Sequence, residues 1–251
     1  MLKYSFTLLV MVLTLILCSG DVSRRYTFTQ DKYTLDLLML KPELEKAVKV
    51  LEENNSLIKK QLTIKDIEIG EVLSIAFPEI IRWNEFQDMI ESSVDRTLYV
   101  EYGSKSMDLS IGIFQMKPSF VESLETYIQT HKLTKKHPDL NLILLNHLSE
   151  RNSRLARIKR LESVEWQLNY LYAYWIVASD IFKVVPFANK EYQIRLYASA
   201  YNFGFTKPLS QIQNWQNKQF FPYGKNYHGK QFAFSDLSIV FLNNYSHKFN
   251  H

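Results

Sequence analysis

Apolar positions along this chain recur mostly at spacings of three and four, the period of helices that bury one face. Glycine is scarce, at seven residues in 251. Both features predict a mainly α fold, with a small loop or hairpin element where glycine, proline and aromatics gather. Residues 41–61 read as a charged amphipathic helix suited to a surface support. In residues 67–81, Val72, Ile75, Ala76, Glu79 and Ile80 follow the i, i+3, i+4, i+7, i+8 pattern, which sets an acid on the buried stripe. Pro78 removes a backbone donor there and predicts a kink just before that acid. A third helix is expected over 85–98, burying Phe86, Met89, Ile90, Ser93 and Val94, and a loop over 102–110 around Gly103. Two charged helices are expected within 139–160. An apolar helix follows, in which Leu168, Leu171, Tyr172, Trp175 and Ile176 share a face; it reads as the central core helix and ends before Pro186. The next, over 191–201, aligns Ile194, Tyr197, Ala198, Tyr201 and Asn202 and closes at Gly204 as a C-terminal cap. Residues 220–234, with Pro222, Gly224 and Gly229 among aromatics, read as a loop or short hairpin. Ser235 then reads as the cap of a last helix carrying Leu237, Val240 and Phe241.

The first 20 residues change the picture. Lys3, an apolar stretch of about 12 residues and the small residues Ser19-Gly20 form a signal-peptide pattern, too short for the roughly 20 residues of a membrane span. The expected organisation is a signal peptide at 1–20, an N-terminal helical extension at 21–66 and one domain at 67–251. The expected location is the periplasm or the exterior. Cys18, the only cysteine, permits a lipoprotein alternative, although Leu17 before it is bulky for such a signal. Without that segment the chain has no cysteine and no disulfide. Its net charge of +4 is mild, and the basic residues are dispersed or mixed with acids, which argues against a nucleic-acid partner. The six histidines show no ligand spacing, so neither metal nor cofactor is expected.

Three pieces carry candidate chemistry. An acid on an apolar stripe loses hydration in its ionised form, so burial raises its pKa toward the range a general acid needs; the plain alternative for Glu79 is an ion pair with Arg82 or Arg96. In Gly112-Ile113-Phe114-Gln115-Met116-Lys117-Pro118 the glycine permits close backbone approach, and the apolar residues are out of place in an exposed turn. Tyr201-Asn202-Phe203-Gly204 supplies a phenol and an amide at a helix end; alone, it reads rather as a capped helix with a core tyrosine.

Together these pieces resemble the lytic transglycosylases with a goose-lysozyme-like catalytic domain. Gly-Ile-Phe-Gln-Met-Lys-Pro is similar to that family's Gly-Leu-Met-Gln-x-x-Pro signature, and Ala200-Tyr201-Asn202-Phe203-Gly204 to its Ala-Tyr-Asn-Ala-Gly signature. The resemblance covers about residues 68–205. It implies a lysozyme-like helical domain and cleavage of the β-1,4 bond between N-acetylmuramic acid and N-acetylglucosamine, forming a 1,6-anhydro ring. Glu79 would be the single acid and base, Gln115 would hydrogen-bond the sugar, Tyr201 and Asn202 would position the acid or an N-acetyl group, and Ser110 and Gly112 would shape the cleft floor. Tyr102 is a further wall candidate, and Trp83, Tyr223 and Tyr227 are aromatic candidates for sugar stacking. The implied partners are peptidoglycan glycan strands and envelope assembly machinery, with the protein a monomer. The family's Glu-Ser dipeptide, however, occurs at Glu91-Ser92 rather than at Glu79, so Glu91 stands as the alternative acid. A lysozyme-type hydrolase, with Asp95, Glu101 or Asp108 as second carboxylate, and a non-catalytic wall-binding scaffold stand as alternative functions.

Overall fold

The computed structural model describes residues 40–65, 67–86 and 93–250. The expected signal peptide, Cys18, Met89, Ile90 and Glu91 lie outside the described residues, as do the side chains of Phe86, Ser93 and Val94. The chain divides into the units Met1–Glu45 and Lys46–His251. Of the first, the described part opens helix α1 (Lys41–Glu53), where Lys41 and Glu45 pair one turn apart at 3.7 Å. The second unit also takes in 46–66, assigned to an extension on sequence grounds. There α2 (Asn55–Leu62) buries Ile58 and Leu62, and Gln61 donates to Glu165 at 2.6 Å.

The protein is mainly α. Helix α3 (Ile69–Phe86) is continuous through Pro78 and extends for two further turns beyond it. Burial of Phe77, Ile80 and Ile81 on successive turns outweighs the one lost backbone bond. Helix α4 is Ser93–Tyr102; of the element expected at 85–98, residues 85–86 belong to α3 and 93–98 to α4, and the rest lie outside the described residues. A loop follows, and then α5 (Pro118–Thr130), which was not anticipated. Proline occupies its first turn, Asp108 caps it by accepting from the Ser119 amide at 3.0 Å and hydroxyl at 2.7 Å, and Val121, Leu124 and Ile128 are buried.

The two charged helices expected within 139–160 are one short 3-10 turn, Pro138–Ile143, and one α-helix, α6 (Glu150–Leu161). Helix α7 (Val164–Ile181) is central but is buried on most sides. Tyr170, Ala173, Tyr174 and Val177 are enclosed along with Leu168 and Leu171, while Trp175 and Ile176, expected inside, are half-buried. Helix α8 (Lys190–Phe203) ends at Gly204, whose φ of 119° and amide bond to the Ala200 carbonyl at 2.9 Å close the helix. A short α9 (Leu209–Trp215) precedes an antiparallel pair, β1 (Gln219–Phe221) and β2 (Phe232–Ala233), the hairpin of the sequence reading. Helix α10 (Phe234–Asn244) begins one residue before Ser235, which therefore does not cap it; the Ser235 hydroxyl donates to the Gln216 carbonyl at 2.7 Å, tying α10 to the end of α9.

Helices α3, α8 and α10 pack on one another. Phe77 stacks on Phe241 with ring centroids 4.3 Å apart, and Ile194, Ala198 and Leu237 fill the remaining space. A second aromatic knot joins Phe120, Tyr174, Tyr201 and Phe205 with centroid separations from 5.0 to 5.8 Å, fixing the start of α5 against the end of α8. Among the described residues no helix is long and apolar enough to cross a membrane.

Candidate active site

The turn at 111–116 is a miniature hairpin. Ile111 and Met116 exchange backbone hydrogen bonds at 2.9 and 3.1 Å, and the Gln115 amide donates to the Gly112 carbonyl at 3.0 Å. Such a tight reversal needs left-handed backbone at two points: Gly112 takes φ 71° and Gln115 takes φ 48°. Glycine does so freely, whereas a glutamine there costs on the order of 1 kcal/mol, so the surroundings must hold it. They do so from two sides. On α7, Gln167 accepts from the Phe114 amide at 3.0 Å and donates to the Leu161 carbonyl at 2.7 Å; on α8, the Tyr201 hydroxyl donates to the Phe114 carbonyl at 2.8 Å. The Gln115 side-chain amide folds back to donate to the Gly112 carbonyl at 3.0 Å.

Glu79 faces the end of α8. Its side chain is buried, with the residue only 4% exposed. Oε1 accepts from the Asn202 amide nitrogen at 3.4 Å, and the Trp215 indole donates to Asn202 Oδ1 at 2.9 Å, which fixes which end of that amide meets the acid. Trp215 itself is stacked on Phe203 at 4.5 Å. Arg82, one turn along α3, brings Nη2 to 2.7 Å from Oε2, yet no N–H is directed at that oxygen, so the pair is a charge contact without a hydrogen bond. Burial pushes the Glu79 carboxyl above its usual range; Arg82, the Asn202 hydrogen bond and Lys117 pull the other way without cancelling it.

These groups open onto a cleft of about 530 Å³. Glu79, Ser110, Gln115, Tyr201 and Asn202 all line it, joined by Trp215 and by Phe220, Phe221 and Pro222 of the hairpin. Glu79 is the only acid on its walls among the described residues, against four cations: Arg82, Lys117, Lys218 and Lys225. No protein-family model matches the chain, and no curated protein or solved structure matches it.

The other sequence candidates lie elsewhere. Gly112 turns its back to the cleft: a Cβ there would fall 1.7 Å from Gln167 Nε2, so the glycine makes room for the strut and not for a ligand. Tyr102 is 70% exposed and borders a separate polar pocket, while Tyr223 and Tyr227 contact each other at 4.5 Å outside the cleft wall, and Trp83 does not line it either. Tyr201, expected to position the acid or an N-acetyl group, lines the cleft and also holds the turn through its hydroxyl. Of the proposed second carboxylates, Glu101 pairs with Arg151 at 2.6 Å, Asp108 caps α5, and Asp95 sits in the first turn of α4; none lines the cleft. Arg96, the other expected partner of Glu79, pairs with Glu162 at 2.7 Å. Glu91 lies outside the described residues. Three contributors went unnoticed in sequence: Gln167, Trp215 and the lysine pair of the hairpin. Trp215 had one available signal, a lone aromatic in the polar run Gln213-Asn214-Trp215-Gln216-Asn217.

Proposed function

We propose that the protein cleaves peptidoglycan glycan strands as a lytic transglycosylase, with Glu79 as its acid and base. The observation that carries this reading is a single buried carboxyl, raised in pKa, on a cleft wall that supplies amide and aromatic groups and, among the described residues, no second acid. A protonated Glu79 donates to the glycosidic oxygen as the bond breaks. The resulting carboxylate then takes the proton of the muramoyl 6-hydroxyl, whose oxygen closes the anhydro ring on the anomeric carbon, and the acid is restored. One group suffices for both transfers. A hydrolase would call for a second carboxylate about 5 to 5.5 Å away for retention, or about 6.5 to 9.5 Å for inversion. Gln115 and Asn202 offer the polar contacts for sugar hydroxyl and N-acetyl groups, and Trp215 and Phe220 offer ring faces. The signal-like segment at 1–20 would bring such an enzyme to its polymer.

The Arg82 contact favours one other reading, a wall-binding protein whose acid is occupied by a salt bridge and does no chemistry. Digestion of purified sacculi separates the two. The parent is expected to release fragments ending in 1,6-anhydro-muramic acid by mass analysis, and Glu79→Gln to lower the rate by about 10²- to 10⁴-fold while keeping affinity. Reducing muramic ends would indicate hydrolysis. Full activity in Glu79→Gln would remove Glu79 from the mechanism.

A further inference from the structure

The basic residues of this chain are mostly dispersed or mixed with acids, with one exception. Residues 131–137, His-Lys-Leu-Thr-Lys-Lys-His, hold three lysines and two histidines and no acid. The structure closes this run into a tight turn at the end of α5. The amides of Lys135 and His137 donate to the carbonyls of Lys132 and Leu133 at 3.1 and 2.8 Å, and the Leu133 side chain is buried as an anchor. Lys132, Lys135 and Lys136 are left exposed, with no ion-pair partner among the described residues. A segment 50 residues further on joins the same end. The His131 ring stacks on Tyr127 at 3.8 Å, and the Tyr127 hydroxyl donates at 2.9 Å to Asp180 in the last turn of α7, which brings Lys183 and Val184 alongside. The acids bordering this patch are already engaged: Asp180 by Tyr127 and by Lys183 at 3.1 Å, and Asp139 by Lys65 at 2.8 Å. Val184 stands out, 80% exposed.

Free cations crowded on a rigid turn repel one another, and an anionic surface laid against them removes that cost. The composition of the patch narrows the kind of surface. Sites for discrete anions favour the arginine fork, and protein partners are anchored by arginine and enclosed aromatics. Residues 131–137 and 183–184 contain no arginine and no aromatic beyond the two histidines, and none of them lines the cleft or the polar pocket beside Tyr102. Lysines set around one protruding aliphatic side chain match diffuse negative charge lying over an apolar layer. We infer that this end of the molecule is a peripheral docking face for a bilayer containing anionic phospholipid, with the three lysines against the headgroups and Val184 reaching toward the acyl chains. The face shares no residue with the cleft and does not rest on the cleavage reading.

The test measures co-sedimentation of the full chain with phosphatidylcholine vesicles, with and without phosphatidylglycerol; the apolar stretch near the N-terminus is common to every arm. Phosphatidylglycerol is expected to raise affinity, and the gain to fade as salt shortens the Debye length from about 30 Å at 0.01 M to about 8 Å at 0.15 M. Lys132→Gln, Lys135→Gln and Lys136→Gln together are expected to lower affinity for the anionic vesicles by about 100-fold, the contribution of three lysines at such a surface, and to leave the neutral vesicles unaffected. Val184→Asp alone is expected to lower it by about tenfold. The control is Lys59→Gln, Lys60→Gln and Lys159→Gln, which takes the same charge from the region where Lys60 meets Glu165 at 3.9 Å, at the opposite end of the 18-residue α7 and about 27 Å away. It is expected to preserve binding. Equal binding to the two vesicle types, no binding to either, equal losses from the two lysine triplets, or no effect of Val184→Asp would each overturn the inference. So would displacement by inorganic phosphate beyond that of chloride at equal ionic strength, which would mark a site for the discrete anion instead.

Discussion

Glu79 meets opposing demands with one side chain: the apolar face of α3 disfavours its charge, and Arg82 favours it. Burial prevails, and the sign has a consequence for stability. A carboxyl whose folded pKa lies above its ordinary 4.5 contributes fully to stability below that value and loses the contribution as pH rises through the folded pKa. Glu79→Gln, neutral throughout, should therefore melt above the parent at alkaline pH, with the gap closing as pH falls toward 4.5; thermal melts across that range check it. A surface acid would show no such gap. Arg82→Gln removes the strongest influence favouring the anion, so the alkaline fall in cleavage rate should move to higher pH, as a rate–pH profile on sacculi would show. That Glu79 points inward was legible from the helical period alone, and Arg82 three residues on was a visible partner. What the period could not tell is that their contact lacks a directed hydrogen bond, because that depends on side-chain angles within one turn.

The elements around the acid act as a frame, and the turn at 111–116 shows how. Its glycine was legible as a site of close backbone approach, but the approaching group was not. Gln167 lies 55 residues further on, and nothing local marks a glutamine on an apolar helix as a strut. Gly112→Ala would drive a methyl into that amide at a left-handed position, and is expected to cost about 2 to 4 kcal/mol in urea denaturation. Tyr201→Phe leaves the buried Phe114 carbonyl without its donor and is expected to cost about 1 to 3 kcal/mol. Both should also weaken glycan binding, because Gln115 is held in its unfavourable backbone conformation by these struts. A cleft that did not depend on the turn would lose stability and keep affinity. Helix α5 illustrates the opposite failure. Val121, Leu124 and Ile128 carry a helical period in plain view, but Pro118 was read as the end of a motif when it is the first turn of a helix.

At the scale of the whole molecule, the helical class followed from the spacing of apolar residues, whereas the partnership of α3, α8 and α10 did not, since a buried stripe does not name the stripe it faces. Long-range ion pairs were equally invisible. Arg157 on α6 reaches Glu125 on α5 at 2.8 Å and Glu122 at 3.5 Å, joining α6 to a helix that the sequence reading did not anticipate. Glu125 is only 5% exposed, and burial raises its pKa despite the hydrogen bonds and charge of Arg157. The attraction between such ions offsets their desolvation only while both are present. Arg157→Met is accordingly expected to cost about 3 to 5 kcal/mol at neutral pH, with Glu125 left buried and unpaired. The cost should shrink in acid, because a protonated Glu125 needs no cation; without Arg157 its folded pKa rises further, so the lost stability appears as pH climbs from 4.5. Adding Glu125→Leu to Arg157→Met should recover most of the loss at neutral pH, since an apolar pair of similar volume avoids the desolvation altogether. Urea denaturation of the three chains at acid and neutral pH measures this. Equal destabilisation at both pH values would mean that Arg157 holds α5 to α6 by packing its stem and not by neutralising the acid.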